Sequence, residues 1–435
     1  MAQVAPRPRV AILTFGCRVN QYETQTMREQ LAVDFALDTD EADVYLVNAC
    51  TVTALAERKA RQAIRRLRRE HPNAKVILVG CLADAVAQGL TQIDQVDLLG
   101  GNAWKGRAAD LVARALAGER GTLETIGPPT LEEEHPTRDP KRVRAFLKVQ
   151  DGCDLRCTFC RTWQVRGPSR SKSIQAASRE AGNLVAAGYP EIVLCGINLA
   201  TYDACDGGLP ALVRELLTIE GLQRLRLGSI NVSLVTADLA AAFASDPRAC
   251  PHFHVPLQSG DDRVLRLMAR GYTVSSYREC LDVVRRVLPS ATFGADVIVG
   301  FPGEDEAAFE RTCALVEEVG FANLHVFRYS PRKGTAAVAL PCSVPEEAKR
   351  ERAGRLEGLA AKVQERAYRK FVGTNESVLV EERRQSRWRG YTRHYLDVHF
   401  ASENPVAPGT EVPVYLTGTK DRHLEGVSAH RTGSI

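Results

Sequence analysis

The chain has 435 residues, enough for two or three domains on a scale of roughly 150 residues each. Hydrophobic content of 44% and charged content of 25% are those of a soluble globular protein, and no apolar run approaches the ~20 residues that would cross a membrane. The net charge of +4 is too small to indicate a nucleic-acid partner by itself; 12 cysteines behind a start without a secretory signal argue for reduced thiols, not a disulfide framework, and for a cytoplasmic location.

In chain order, the apolar runs Val10–Phe15, Val44–Ala49 and Val76–Gly80 alternate with helical stretches, a βαβ rhythm that predicts a parallel α/β domain over 8–120. Each run ends beside a cysteine: Cys17, Cys50 and Cys81. Ligands of open α/β sheets bind beyond the carboxyl ends of the strands, so three cysteines delivered there converge on one site; taken singly, each would read as a small buried residue. The helix over Glu57–Glu70 carries Arg58, Lys59, Arg61, Arg65, Arg66, Arg68 and Arg69, either a solvated face or a contact for a phosphate backbone. Residues 121–138 are rich in proline and charge and read as a linker.

A second rhythm of about six strand–helix units follows over 139–371, with strands expected at Ala145–Gln150, Glu191–Ile197, Leu225–Ile230, His252–Gln258, Phe293–Phe301 and Leu324–Ser330. This predicts a partial (β/α) barrel with its working residues at the strand ends. A charged helix over Pro345–Phe371 precedes short alternating segments in 372–435 that predict a small all-β barrel. There, Trp388, Tyr391 and Tyr395 interleave with arginine, a texture suited to stacking on RNA bases.

The most specific signal is DGCDLRCTFC, with three residues between Cys153 and Cys157 and two between Cys157 and Cys160. Three thiolates on a four-iron cluster leave one iron open to an outside molecule, whereas a zinc loop would need a fourth ligand from elsewhere. Gly196, Gln258, Ser259, Asp296, Gly300 and Gly303 lie at strand ends and are candidates for cofactor binding; tight turns and buried polar capping are the alternative readings. Cys195, Cys205, Cys250, Cys280, Cys313 and Cys342 match no ligand spacing and are expected to pack as small apolar residues.

The Cys153–Cys160 run, with Phe159 before its last cysteine, resembles the signature of the radical S-adenosylmethionine superfamily. Beyond it, TFGCRVNQYE, NACTVT and VGCLAD, then VRGPSRS, EIVLCGIN, HFHVPLQSGDDRVLRLMARGYT, ADVIVGFPGE and HVFRYSPRKGT, resemble the motifs of the methylthiotransferase family in the same order. GCRVNQYE with NACTVT is most similar to the threonylcarbamoyladenosine tRNA methylthiotransferases of the MtaB type. The resemblance implies two [4Fe-4S] clusters, one on Cys153, Cys157 and Cys160 that binds S-adenosylmethionine and yields the deoxyadenosyl radical, and an auxiliary one on Cys17, Cys50 and Cys81 where sulfur is methylated. It implies a C-terminal TRAM domain, tRNA as partner, an electron donor such as flavodoxin or ferredoxin, a sulfur source, and methylthiolation at C2 of the modified adenosine at position 37. Alternatives are isopentenyladenosine tRNA or a ribosomal-protein aspartate as substrate, or a non-catalytic zinc-containing RNA-binding protein. Three places depart from the family pattern: Asn231 stands where an acidic residue is expected, CRTWQVRG follows Cys160, and VGCLAD lacks an aromatic after its cysteine.

Overall fold

Val44–Ala49 is buried at every position, as befits the middle of a parallel sheet covered on both faces. In the computed structural model, which describes residues 7–37, 41–124, 127, 131–133, 139 and 142–428, this strand is central to a six-stranded sheet. The order is Ala36–Leu37, Arg9–Phe15, Val44–Ala49, Lys75–Val79, Leu98–Gly100 and Gly121–Thr122, all parallel. Alternation sorts the side chains: Val44 and Leu46 pack with Met27, Leu31 and Leu111 on one face, Tyr45 and Val47 with Ala60, Ile64 and Leu67 on the other. The connections run to opposite sides between Arg9–Phe15 and Val44–Ala49, so this doubly wound sheet has its topological switch point there, directly before Cys17 and Cys50. Most of the linker expected over 121–138 lies outside the described residues.

The barrel strands Arg144–Lys148, Glu191–Cys195 and Arg224–Leu227 form one parallel sheet, and His252–His254, Thr292–Val299 and Asn323–Arg328 another. Single parallel bridges, Leu225 to Ala249 and Ser229 to His254, join them into a six-stranded partial barrel, as expected. The strand expected over His252–Gln258 stops at His254; Pro256 removes a ladder donor, and pairing resumes only at a single bridge from Gln258 to Val297.

The final segment is a closed five-stranded barrel in the order Asn375–Arg384, Arg387–Thr392, Asp397–Ala401, His423–Ser428 and Glu411–Lys420, consistent with a TRAM-like domain. Helix Glu346–Arg369 belongs to two cores at once: Leu356, Ala360 and Val363 pack into the (β/α) barrel, and Ala367 and Tyr368 into the small β-barrel. Of the six cysteines expected to be packed, Cys205 and Cys342 are exposed. The first sits between the two short strands Asp203–Ala204 and Gly207–Gly208, the second in a loop with φ of 60°, and neither setting offers a core to enter. Among the described residues no helix is long and apolar enough to cross a membrane.

Candidate metal centres and their cavity

The strand-end cysteines do converge. Cys17 caps helix Arg18–Ala32, Cys50 follows the central strand, and Cys81 opens helix Cys81–Ala87. Gly16 makes the approach possible: its φ is +120°, and a Cβ there would lie 2.1 Å from that of Cys50. A hydrogen bond from the Cys50 thiol draws Cys17 down to about 6, and the same pairing holds Cys50 well above the usual thiol range. Burial pushes Cys81 up.

The second trio lies in the loop after the first barrel strand. The Thr158 N–H donates to Met268 O (3.1 Å) and its hydroxyl to Leu267 O (2.8 Å), which pins the loop. Burial pushes Cys153 up to about 11 and raises Cys160. Nitrogen donors address five of the six sulfurs: Val52 N to Cys50 (3.2 Å), Arg166 Nε to Cys81 (3.2 Å), Asn198 Nδ2 to Cys153 (3.8 Å), Arg270 Nη1 to Cys157 (3.2 Å) and Thr162 N to Cys160 (3.3 Å). Donors aimed at sulfur suit thiolates that carry charge, so the residues present fit a cysteine-ligated iron–sulfur cluster at each trio.

Cys17 opens onto a cavity of about 900 Å³ where all three parts of the chain meet. Arg18 and Val19 flank it on one wall, Gly196, Ser229 and His254 come from barrel strand ends, Asp296, expected at a strand end, and His325 come from within the strands Thr292–Val299 and Asn323–Arg328, and Arg389, Tyr391, Tyr395 and Arg422 come from the small barrel. Asp296 and Phe327 also line a neighbouring cavity of about 600 Å³, together with Phe159, Gln258 and Ile298. Against the upward push of burial, His254 Nε2 (3.2 Å) and His325 Nδ1 (3.1 Å) hold the Asp296 carboxyl well below its ordinary value.

The remaining candidates fall into two groups. Gly196 lines the large cavity, and a Cβ on it would sit 2.9 Å from Gln150 Oε1. Gln258 lines the smaller one with φ of 65°, a left-handed conformation uncommon outside functional or tightly determined sites, locked by backbone bonds to Asp296 O (2.8 Å) and from Ile298 N (2.9 Å). Ser259, Gly300 and Gly303 line neither cavity. The Ser259 hydroxyl accepts from Asp261 N (3.3 Å), and the space beside Gly300 and Gly303 is taken by Lys349 and Leu267. Asn231 caps a short turn by accepting from Ser233 N (3.4 Å).

Tyr391 and Tyr395 stack on each other, centroids 5.0 Å apart, and each receives a barrel guanidinium at 4.8 Å, from Arg144 and Arg226 respectively. They dock the small barrel and shape the cavity wall, while Trp388 packs against the small barrel's core. In helix Ala54–Glu70, Arg61 and Arg68 are tied to Glu57 and Asp97, whereas Arg58, Lys59 and Arg65 face outward.

Sequence reasoning missed a buried charge cluster joining the first domain to the barrel. Glu23 receives Arg166 (2.7 Å), Lys148 (2.8 Å) and Lys105, with each of these four side chains at most 3% exposed. Arg166 also reaches Asp151 (2.9 Å) and Asn20 (3.0 Å) while its Nε addresses Cys81. The available signal was a lysine and an arginine in otherwise apolar surroundings, in FLKVQD and WQVRG. The CRTWQVRG departure is the segment that supplies Arg166, and Arg161 from it reaches Lys333 O and Leu90 O.

The profile of the Radical SAM superfamily matches residues 147–316, and that of the uncharacterized protein family UPF0004 matches residues 9–101. Among solved structures the chain is similar to the radical S-adenosylmethionine methyltransferase TsrM from Kitasatospora setae (TM-score 0.56, 13% identity, 76% of this chain and 75% of that one). It is also similar to the cobalamin-dependent S-adenosylmethionine radical enzyme OxsB (TM-score 0.50, 13% identity, 82% of this chain, 56% of that one); at such identities the likeness shows the fold. Fold and profile together define a radical S-adenosylmethionine enzyme. Curated relatives named threonylcarbamoyladenosine tRNA methylthiotransferase MtaB match over most of their length. That of Thermotoga maritima is 38% identical over 86% of both chains, and that of Aquifex aeolicus 35% identical over 90% of this chain and 96% of that one. The chain belongs to this family of tRNA methylthiotransferases.

Proposed function

We propose that the enzyme replaces the C2 hydrogen of N6-threonylcarbamoyladenosine at position 37 of tRNA with a methylthio group, in the cytoplasm. The observation that carries the reading is a chamber walled by Cys17, the barrel strand ends and the small β-barrel, in a chain that carries two cysteine trios. Cys153, Cys157 and Cys160 would hold one [4Fe-4S] cluster and Cys17, Cys50 and Cys81 the other. When bound, these groups and S-adenosylmethionine supply the radical that opens the C2–H bond and the sulfur and methyl group that replace the hydrogen. The protein's part is placement. Strand ends fix the walls, the stacked tyrosines close one side, and Gln258, Gly196 and Asp296 offer polar and close-approach surface for cofactor and base. An external electron donor such as flavodoxin or ferredoxin and an external sulfur source complete the reaction.

Nucleoside analysis of tRNA from a deletion strain tests the reading: the 2-methylthio form of threonylcarbamoyladenosine should vanish and the unthiolated form accumulate. Loss of the isopentenyladenosine derivative instead would assign the rival substrate. Anaerobic reconstitution should yield about eight irons per chain, whereas a colourless zinc protein would exclude radical chemistry. If the outward arginines of helix Ala54–Glu70 contact phosphates, changing Arg58 and Arg65 to alanine should flatten the slope of log affinity for tRNA against log salt by about one to two, with no loss of thermal stability.

A further inference from the structure

We infer that Arg18 is the specificity-determining residue that reads the carboxylate of the substrate's threonylcarbamoyl group. The inference rests on the substrate reading above and deepens it. Arg18 directly follows Cys17 and lines the same chamber. The other four arginines on that wall are engaged: Arg226 with Glu191 (2.7 Å), Arg389 with Asp397 (2.8 Å), Arg384 with Glu382 (2.7 Å) and Arg422 with Gln364 (2.9 Å). Among the described residues, Arg18 has neither a hydrogen-bond partner nor an ion pair, although it is half-buried. Nor does its place favour the fold, since a cation in the first turn opposes the helix dipole and that turn holds no acidic residue. It shares the lining of the chamber with Cys195, His252 and Tyr395, from two barrel strands and the small barrel.

The substrate supplies the missing partner. On adenine, C2 and N6 lie on one edge of the ring, flanking N1. A base whose C2 faces Cys17 therefore carries its N6 substituent along the wall on which Arg18 is the next residue. That substituent ends in a carboxylate, and a carboxylate that sheds water on docking against the chamber wall needs a compensating donor. A guanidinium matches it with two parallel N–H bonds. An apolar N6 substituent such as isopentenyl would leave Arg18 desolvated and unpaired, so the same residue selects for one group and against the other.

The test uses the reconstituted full-length enzyme and three anticodon stem-loop RNAs, carrying threonylcarbamoyladenosine, its threonyl carboxamide, or unmodified adenosine. For the wild type, the carboxamide should bind about 10- to 100-fold more weakly than the acid, the range of a charge-assisted contact. Arg18→Gln should lose that same factor for the acid, bind the carboxamide and unmodified RNA as the wild type does, and retain S-adenosylmethionine cleavage; Arg18→Lys should restore part of the preference. Equal weakening by Arg18→Gln for all three RNAs would overturn the inference in favour of a phosphate contact or a structural role. A wild type that methylthiolates the acid but binds acid and carboxamide alike would overturn it while leaving the substrate reading intact. A wild type that cleaves S-adenosylmethionine yet methylthiolates none of the three RNAs would overturn both.

Discussion

Cys157→Ala is expected to abolish reductive cleavage of S-adenosylmethionine, whereas Cys50→Ala should leave cleavage intact and lose methylthiolation. The two cysteines belong to trios built in different ways. Cys157 sits in a loop pinned to the barrel, with Arg270 donating to its sulfur, while Cys50 ends the central strand of the first sheet and pairs with Cys17. No cysteine of one trio contacts the other trio through any hydrogen bond among the described residues, so removing one thiol should unmake one centre. Each variant should retain about four irons of eight. Chromatography of 5′-deoxyadenosine and of RNA nucleosides after anaerobic turnover reads both activities; equal loss of cleavage in the two variants would contradict the division of labour.

Glu23→Gln should be among the most destabilising single changes in the chain, by about 3–5 kcal/mol, because it leaves Lys105 buried without a carboxylate and Arg166 and Lys148 to share Asp151 alone. Although burial alone would raise it, Arg166 and the two lysines hold the Glu23 carboxyl well below the usual carboxylate range. The sign follows: its stabilisation is complete above the ordinary glutamate value, and is lost as pH falls through the lower folded value. Calorimetry on wild type and Glu23→Gln should therefore show a gap in stability at neutral pH that narrows only under strong acid. Salt should leave the gap nearly unchanged, since the charges are shielded from mobile ions by protein. Because Asn20, Glu23 and Lys105 lie in the first domain and Lys148, Asp151 and Arg166 in the barrel, the variant should also loosen the alignment of the two trios and lower turnover beyond its effect on melting.

Both rhythms of strand and helix were readable because buried parallel strands write themselves as short apolar runs, and turn residues mark where they end. The two trios were readable for different reasons: one has local spacing, the other repeats a position at three consecutive strand ends. What could not be read depends on contacts between distant segments. Glu23 and Arg166 are 143 positions apart, and neither carries a motif that announces the other. Asp296 looked like a lone strand-end acid, yet its neighbours His254 and His325 come from the two flanking strands, a juxtaposition set by register. Tyr391 and Tyr395 read as free stacking surface; their ring faces are covered by arginines that lie far upstream in the chain.

The 24-residue helix Glu346–Arg369, about 36 Å long, is shared between two hydrophobic cores. A module hung on a flexible tether would search; one riveted along a rigid strut can only measure. If the small β-barrel grips the anticodon arm, the strut sets a fixed reach from grip to chamber, and the enzyme selects its nucleotide partly by distance, as a caliper does.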